Sequence, residues 1–120
     1  MIGIDIDKPE RFSQDDQFLN RLFYQEEIAH IKKSFCQSLC QQRIASLFSA
    51  KEAVMKALGL GKNSGVSFKD IQILHDESGK PYVVLHGKAK EQMEERYKGK
   101  HIEISLSHTP ETVVAVAVIV

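Results

Sequence analysis

Alternation of apolar and polar side chains predicts strands at both ends of the chain. Ile2, Ile4 and Ile6 alternate with Gly3 and Asp5 over residues 1–6. A period of two predicts a strand with the isoleucines on its buried face and Asp5 on the opposite one. Ile102, Ile104 and Leu106 repeat the pattern, leaving Glu103, Ser105 and Ser107 on the other face. His108-Thr109-Pro110 then supplies a turn, and residues 113–120 are apolar at every position. Such a strand is covered on both faces, by helices, by another sheet or by a partner subunit.

The period changes in between. Residues 43–61, RIASLFSAKEAVMKALGLG, predict a central helix that stops at Gly59 and Gly61. Ile44, Leu47, Phe48, Met55 and Leu58 fall on its core-facing stripe. Glu52 and Lys56 sit one turn apart beside that stripe, at the edge of the core. Lys51 falls inside it, which requires snorkelling or a partner. Earlier, Ser13 is the expected N-cap of a helix with Asp15, Asp16 and Gln17 in its first turn and Phe18, Leu22 and Phe23 on its apolar side. Residues 24–33 predict a second short helix, and 34–38 a connection. Beyond the central helix, 62–67 (KNSGVS) reads as a polar loop. Residues 70–74 and 82–86 read as strands joined through Gly79 and Pro81 as a hairpin. Residues 88–97 read as an exposed helix anchored by Ala89, Met93 and Tyr97. The sum is one α+β domain over residues 1–120, with a mostly antiparallel sheet of about five strands and a long central helix.

Composition narrows the classes. Sixteen basic residues balance sixteen acidic ones among 120, so a nucleic-acid binder has little support. No apolar run approaches the roughly 20 residues of a membrane span, and no charged-then-apolar leader precedes the first strand. A cytoplasmic location is the expectation. Cys36 and Cys40, the only cysteines, lie four apart with no histidine close in sequence, and read as small buried or half-buried side chains in a reducing compartment.

Three polar spots interrupt well-patterned elements: Asp5, the Glu52–Lys56 pair, and His108. Two carboxylates, with water and phosphate oxygens, suit Mg²⁺. A nearby lysine suits a pyrophosphate as a point charge, and a histidine can donate to one. Together they permit metal-assisted transfer at a phosphate. Spacing leaves open whether they converge. A surface ion pair and a turn histidine explain the same residues without any chemistry. Ser107-His108 lacks a nucleophile elbow. Gly59-Leu60-Gly61 follows a helix and reads as its cap.

Three segments taken together carry a resemblance: GIDI at 3–6 with Arg11 six residues after Asp5, FSAKEAVMKALGLG at 48–61, and SLSHT at 105–109 before an apolar terminal strand. With VSFKDI at 66–71 and GKPY at 79–82, they resemble the holo-acyl-carrier-protein synthases, small bacterial 4'-phosphopantetheinyl transferases, over nearly the whole chain. The resemblance implies a transferase that moves the phosphopantetheine arm of coenzyme A onto a serine of apo acyl carrier protein, releasing 3',5'-ADP in support of fatty acid biosynthesis. It implies Mg²⁺ on Asp5 and Glu52, and Lys56 at the phosphate under attack. His108 and Thr109 are implied at the coenzyme A phosphates, and a homotrimer with active sites between subunits. The acceptor serine belongs to the substrate, so the chain needs no nucleophile of its own.

The chain departs from the family pattern in three places. Leu47 stands where an arginine usually precedes the central Phe, and Arg43, one turn earlier on the same face, is the expected substitute at the coenzyme A site. Glu103 replaces a usual histidine. Asp15-Asp16-Gln17 replaces a segment that is often basic, which leaves Arg11 and Arg21 as the expected carrier contacts. Two other classes stand beside the transferase: a non-catalytic oligomeric module gripping carrier protein or nucleotide, and a Mg²⁺-dependent phosphohydrolase.

Overall fold

The computed structural model describes residues 1–61 and 63–120. The expected loop 62–67 begins at Lys62, which lies outside the described residues. Strand β1 (Ile2–Asp7) leads through a 3-10 turn at Pro9–Arg11 to helices α1 (Asp16–Leu22) and α2 (Gln25–Lys32), then to the long α3 (Gln37–Leu58). A 3-10 turn at Phe68–Asp70, the hairpin β2 (Ile71–His75) and β3 (Pro81–Leu85), helix α4 (Gly87–Arg96), and strands β4 (Ile102–His108) and β5 (Val113–Ile119) complete the chain. All pairings are antiparallel. They fall into two sheets, β1-β5-β4 with the apolar β5 in the middle, and the β2-β3 hairpin. Among the described residues, no helix is long and apolar enough to cross a membrane.

Helix α3 lies across the three-stranded sheet because small residues meet there. A Cβ on Gly3 would come within 2.0 Å of the Ala53 carbonyl oxygen and 2.6 Å of the Ala57 nitrogen. Ala53 and Ala57 of α3, and Ala115 and Ala117 of β5, are fully buried at the same layer. The core spreads from that contact through Leu19, Phe23, Ile31, Ile44, Ile71 and Ile73. Gly59 ends α3 in the left-handed region at φ 73°, with the Leu60 N–H donating to the Met55 carbonyl at 3.0 Å, a Schellman-type cap.

The close contact reverses the first sequence expectation. Helix α3 packs on the Gly3–Asp5–Asp7 face of β1, and the isoleucine row points outward: Ile2, Ile4 and Ile6 are 68%, 60% and 65% exposed. Alternation identifies two faces but not which one meets the core, and here backbone proximity at Gly3 decides. Opposite the isoleucines stand Val118, Val116 and Val114, half-buried, so the outer sheet face carries a continuous apolar strip.

Other boundaries shift for local reasons. Helix α3 starts at Gln37, six residues before the expected Arg43, since nothing in QSLCQQ breaks a helix. It is buried around most of its circumference rather than along one stripe. Asp15, not Ser13, is the α1 N-cap residue, and the Ser13 hydroxyl accepts the Asp15 N–H at 3.0 Å. Leu19 and Phe23 anchor that helix, with Phe18 and Leu22 half-buried beside them.

Lys51 proves to have partners. Its fully buried ammonium donates to Glu27 Oε1 at 3.0 Å, to the Leu22 carbonyl at 2.9 Å and to the Phe68 carbonyl at 3.0 Å. Glu27 also accepts the N–H groups of Tyr24 and Ile73. One ion pair therefore ties α2, α3 and β2 together.

Candidate functional site

Asp5 points from β1 toward α3, and its side chain is only 13% exposed. Lys56, near the end of α3, does not pair along its own helix with Glu52. Its ammonium turns to β1 and donates to Asp5 Oδ1 at 3.1 Å and to the Ile4 carbonyl at 3.0 Å. The other Asp5 oxygen, Oδ2, is buried without a hydrogen-bond partner among the described residues. Glu52 is half-buried next to it; burial, and then the Asp5 charge, push its carboxyl above the usual carboxylate range. A pair of carboxylates with an orphaned oxygen and a raised proton affinity is short of positive charge. That is the chemistry a divalent cation relieves, and Mg²⁺ uses few protein ligands.

A third carboxylate that the sequence reading passed over lies nearby, although among the described residues no three such side chains are close enough to form a metal-ligating group. Asp7 is buried on the same face of β1, two residues beyond Asp5. Its Oδ2 accepts the Ser49 hydroxyl at 3.0 Å, and its Oδ1 accepts Nη1 of Arg11. Burial, followed by the neighbouring Asp5, raises its proton affinity, while Ser49 and Arg11 oppose the rise. The signal was its parity with Asp5 on a strand; the alternation that marked Asp5 marks Asp7 equally.

His108 and Thr109 lie elsewhere. At the other end of α3, Gln42 donates to the Thr109 carbonyl at 3.0 Å, and Ser38, Leu39 and Gln42 share a small cleft with His108 and Thr109. Ten helical residues separate Gln42 from Glu52, roughly 15 Å at 1.5 Å per residue. Within one chain, then, the expected residues form two groups: Asp5, Glu52 and Lys56 at one end of α3, His108 and Thr109 at the other.

Arg43 belongs to the second group. It lines an open cleft of about 540 Å³ with Leu47, His75, Lys80, Pro81 and His108. Its Nη1 is buried with no partner among the described residues. A buried guanidinium nitrogen without an acceptor leaves the cleft suited to an anion. Its wall also holds a pair missed in the sequence: the rings of His30 and His75 stack with centroids 4.0 Å apart at 14°. Burial, then His75, Lys33 and Arg43, lower the His30 pKa to about 4. Arg21 is exposed on α1, and Arg11 is exposed at the end of the Pro9–Arg11 turn. Glu103 is exposed on β4, 3.0 Å from His101 Nε2 and 3.9 Å from the Lys80 ammonium. Asp16 is held by Lys32 at 2.6 Å.

Comparison with known proteins adds context to this geometry. Residues 1–117 match the family described as the 4'-phosphopantetheinyl transferase superfamily. A holo-acyl-carrier-protein synthase of Thermoanaerobacter sp. (strain X514) is 42% identical over 122 residues, covering 98% of this chain and 84% of that protein. Among solved structures, the Helicobacter pylori holo-acyl-carrier-protein synthase in complex with coenzyme A superposes with a TM-score of 0.81 at 32% identity, each chain fully covered. That of Bacillus anthracis in complex with CoA (3',5'-ADP) gives 0.79 at 32% identity, over 98% of this chain and 93% of the other.

Proposed function

The chain belongs to the 4'-phosphopantetheinyl transferase superfamily, in its holo-acyl-carrier-protein synthase branch, and from that premise we propose that it transfers the phosphopantetheine arm of coenzyme A to a serine of apo acyl carrier protein, with Mg²⁺ and with release of 3',5'-ADP. A role in fatty acid biosynthesis and a cytoplasmic location go with this proposal. The observation that carries it is the group at the end of α3: two carboxylates, one with an orphaned buried oxygen, beside the Lys56 ammonium.

In the transfer, the serine Oγ forms a new bond to the phosphorus bearing the pantetheine arm. The bridging P–O bond breaks, and its electron pair leaves on 3',5'-ADP. Such a step needs positioning and charge screening more than covalent chemistry from the protein. Asp5 and Glu52 are the residues to hold Mg²⁺, which when bound supplies charge neutralisation at the pyrophosphate. Lys56 screens the phosphate under attack. A carboxylate of the same cluster is the acceptor the chain offers for the serine proton. Arg43, His108 and Thr109 bind the coenzyme A phosphates, and Arg11 and Arg21 meet the carrier protein.

The two groups stand on opposite edge strands of the three-stranded sheet and ten positions apart along α3, roughly 15 Å of helix rise, so one chain does not bring them together on one pyrophosphate. A homotrimer, in which the Asp5 end of one subunit meets the His108 end of the next, answers this. The exposed isoleucines of β1 support that arrangement, since monomers rarely leave so continuous an apolar strip in water.

The test is the mass of apo acyl carrier protein after incubation with this protein, coenzyme A and Mg²⁺, alongside an EDTA control. A gain of about 340 Da, lost with EDTA, is the expected result for a metal-dependent phosphopantetheine transfer. No gain with several carriers, despite coenzyme A binding, would instead indicate a non-catalytic binding module. Sustained coenzyme A turnover without any acceptor would indicate a phosphohydrolase.

A further inference from the structure

Arg11 is an exposed side chain with an unusually fixed head. Its side chain is 60% exposed, yet Nη1 is held by Asp7 Oδ1. The guanidinium carbon lies 5.0 Å from the Phe12 ring centroid and 5.8 Å from that of Phe48. The two rings are themselves packed 5.0 Å apart at 56°. Arginine on a surface ordinarily samples many rotamers, and aromatic faces with a carboxylate anchor remove that freedom.

The anchor is built into the core. The Asp7 side chain is 5% exposed, and its second oxygen is occupied by the Ser49 hydroxyl from the buried side of α3. With Oδ2 accepting from Ser49, Oδ1 is the oxygen turned to Arg11. The Arg11 head therefore has one side fixed. Among the described residues it makes no other hydrogen bond, so the remaining N–H groups stay directed to solvent. A guanidinium preset in this way, with donors free, matches a carboxylate that approaches from outside.

We propose that Asp7, held by Ser49, is a positioning residue: it fixes Arg11 over Phe12 and Phe48 as a preformed docking point for an acidic side chain of the carrier protein. The proposal rests on the reading of Arg11 as a carrier contact in the transfer reaction. It separates Asp7 from its neighbour on the same face. Asp5 serves the cation and the phosphate, whereas Asp7 serves partner recognition through Arg11. Preorganisation of this kind improves binding by removing the ordering cost of a long side chain at the moment of contact.

The experiment is steady-state transfer on the full-length protein with wild type, Asp7→Asn, Ser49→Ala, Arg11→Ala and the Asp7→Asn/Arg11→Ala pair. Carrier, coenzyme A and Mg²⁺ are varied in turn, and the carrier series is repeated at high salt. Asp7→Asn and Arg11→Ala should each raise the KM for carrier about tenfold, the size of one charge-assisted contact. The double variant should be no worse than Arg11→Ala, and Arg11→Ala should lessen the salt sensitivity of the carrier KM, whereas Asp7→Asn, which keeps the guanidinium charge, should not. Ser49→Ala, which keeps the charge, should give a smaller rise of about threefold. The KM for coenzyme A should not move in any of these variants, and the Mg²⁺ dependence should not move in Arg11→Ala. Additive effects in the double variant, or an unchanged carrier KM in Asp7→Asn, overturn the proposal. A loss of Mg²⁺ affinity in Asp7→Asn that exceeds its rise in carrier KM also overturns it and assigns Asp7 to the cation group. An unchanged carrier KM in Arg11→Ala, with wild type active, overturns the Arg11 reading and the proposal with it. Absence of transfer by wild type removes the functional reading itself.

Discussion

Lys56 Nζ lies 3.1 Å from Asp5 Oδ1, bridging the end of a helix to the first strand across fifty-one positions of sequence. The lysine thus neutralises the carboxylate that is expected to hold Mg²⁺. The two cations then compete for one group. Replacing Lys56 by Met should tighten Mg²⁺ binding, read by calorimetry, while slowing transfer about 10²-fold through the loss of one charge stabiliser at the phosphate. Weaker Mg²⁺ binding in that variant would contradict the competition.

Gly3→Ala should be among the most damaging single-methyl additions in the chain. Its new Cβ would fall 2.0 Å from the Ala53 carbonyl oxygen, which is main chain and has little room to yield. Overpacking costs about 1–3 kcal/mol where side chains can adjust. Here the upper end or more is expected, measured as a lowered urea midpoint at constant slope. An unchanged midpoint would mean that β1 slides along α3 freely.

Lys51→Met should destabilise by about 3–5 kcal/mol, because Glu27 would remain buried without its countercharge. Adding Glu27→Gln should recover only part of that loss, since Glu27 also accepts the Tyr24 and Ile73 N–H groups. Chemical denaturation of the single and double variants measures both terms.

Acid should weaken the fold through the stacked histidines. His30 titrates at about 4 in the folded chain against 6.5 when unfolded, with His75, Lys33 and Arg43 all facing it. Between those values the unfolded chain binds more protons, so this contribution is complete above about pH 6.5 and is lost as pH falls toward about 4. His75 is lowered as well, by burial and then by Lys33. Unfolding at pH 7 and pH 5 should differ more for wild type than for His30→Gln; equal differences would remove the stack as the cause.

The outer face of β1 offers a further test. Ile4 is 60% exposed at the centre of the apolar strip. Ile4→Arg should leave the monomer folded, by circular dichroism, while sedimentation shifts from an assembly to a monomer and transfer is lost. A trimeric Ile4→Arg protein would mean that the subunits join elsewhere.

Much of the fold was legible because periodicity carries element type. The hairpin of β2 and β3, helix α4 and the final strands lie within a residue or two of the patterns that predicted them. That Asp5 stands opposite the isoleucines was legible too, but that its side rather than theirs meets the core was not. Alternation separates Ile4 from Asp5 without saying which side α3 covers, and that depends on a missing Cβ at Gly3. Lys51 announced its need for a partner, whereas Glu27 looked like an ordinary first-turn carboxylate, because pairing across twenty-four positions leaves no local trace. The Asp7–Ser49 contact and the His30–His75 stack were hidden for the same reason. His108 and Lys56 read as one constellation on a linear list; only the length of α3 separates them.

That separation has a consequence for mixed populations of the chain. If sites are completed between neighbours, each subunit lends one half of its machinery to each of two different sites. A chain crippled at Glu52 and another crippled at His108 would then be inert alone. Co-assembled, they would rebuild intact sites wherever the sound half of one met the sound half of the other. Defects at the two ends of α3 would complement each other, and two defects at the same end would not.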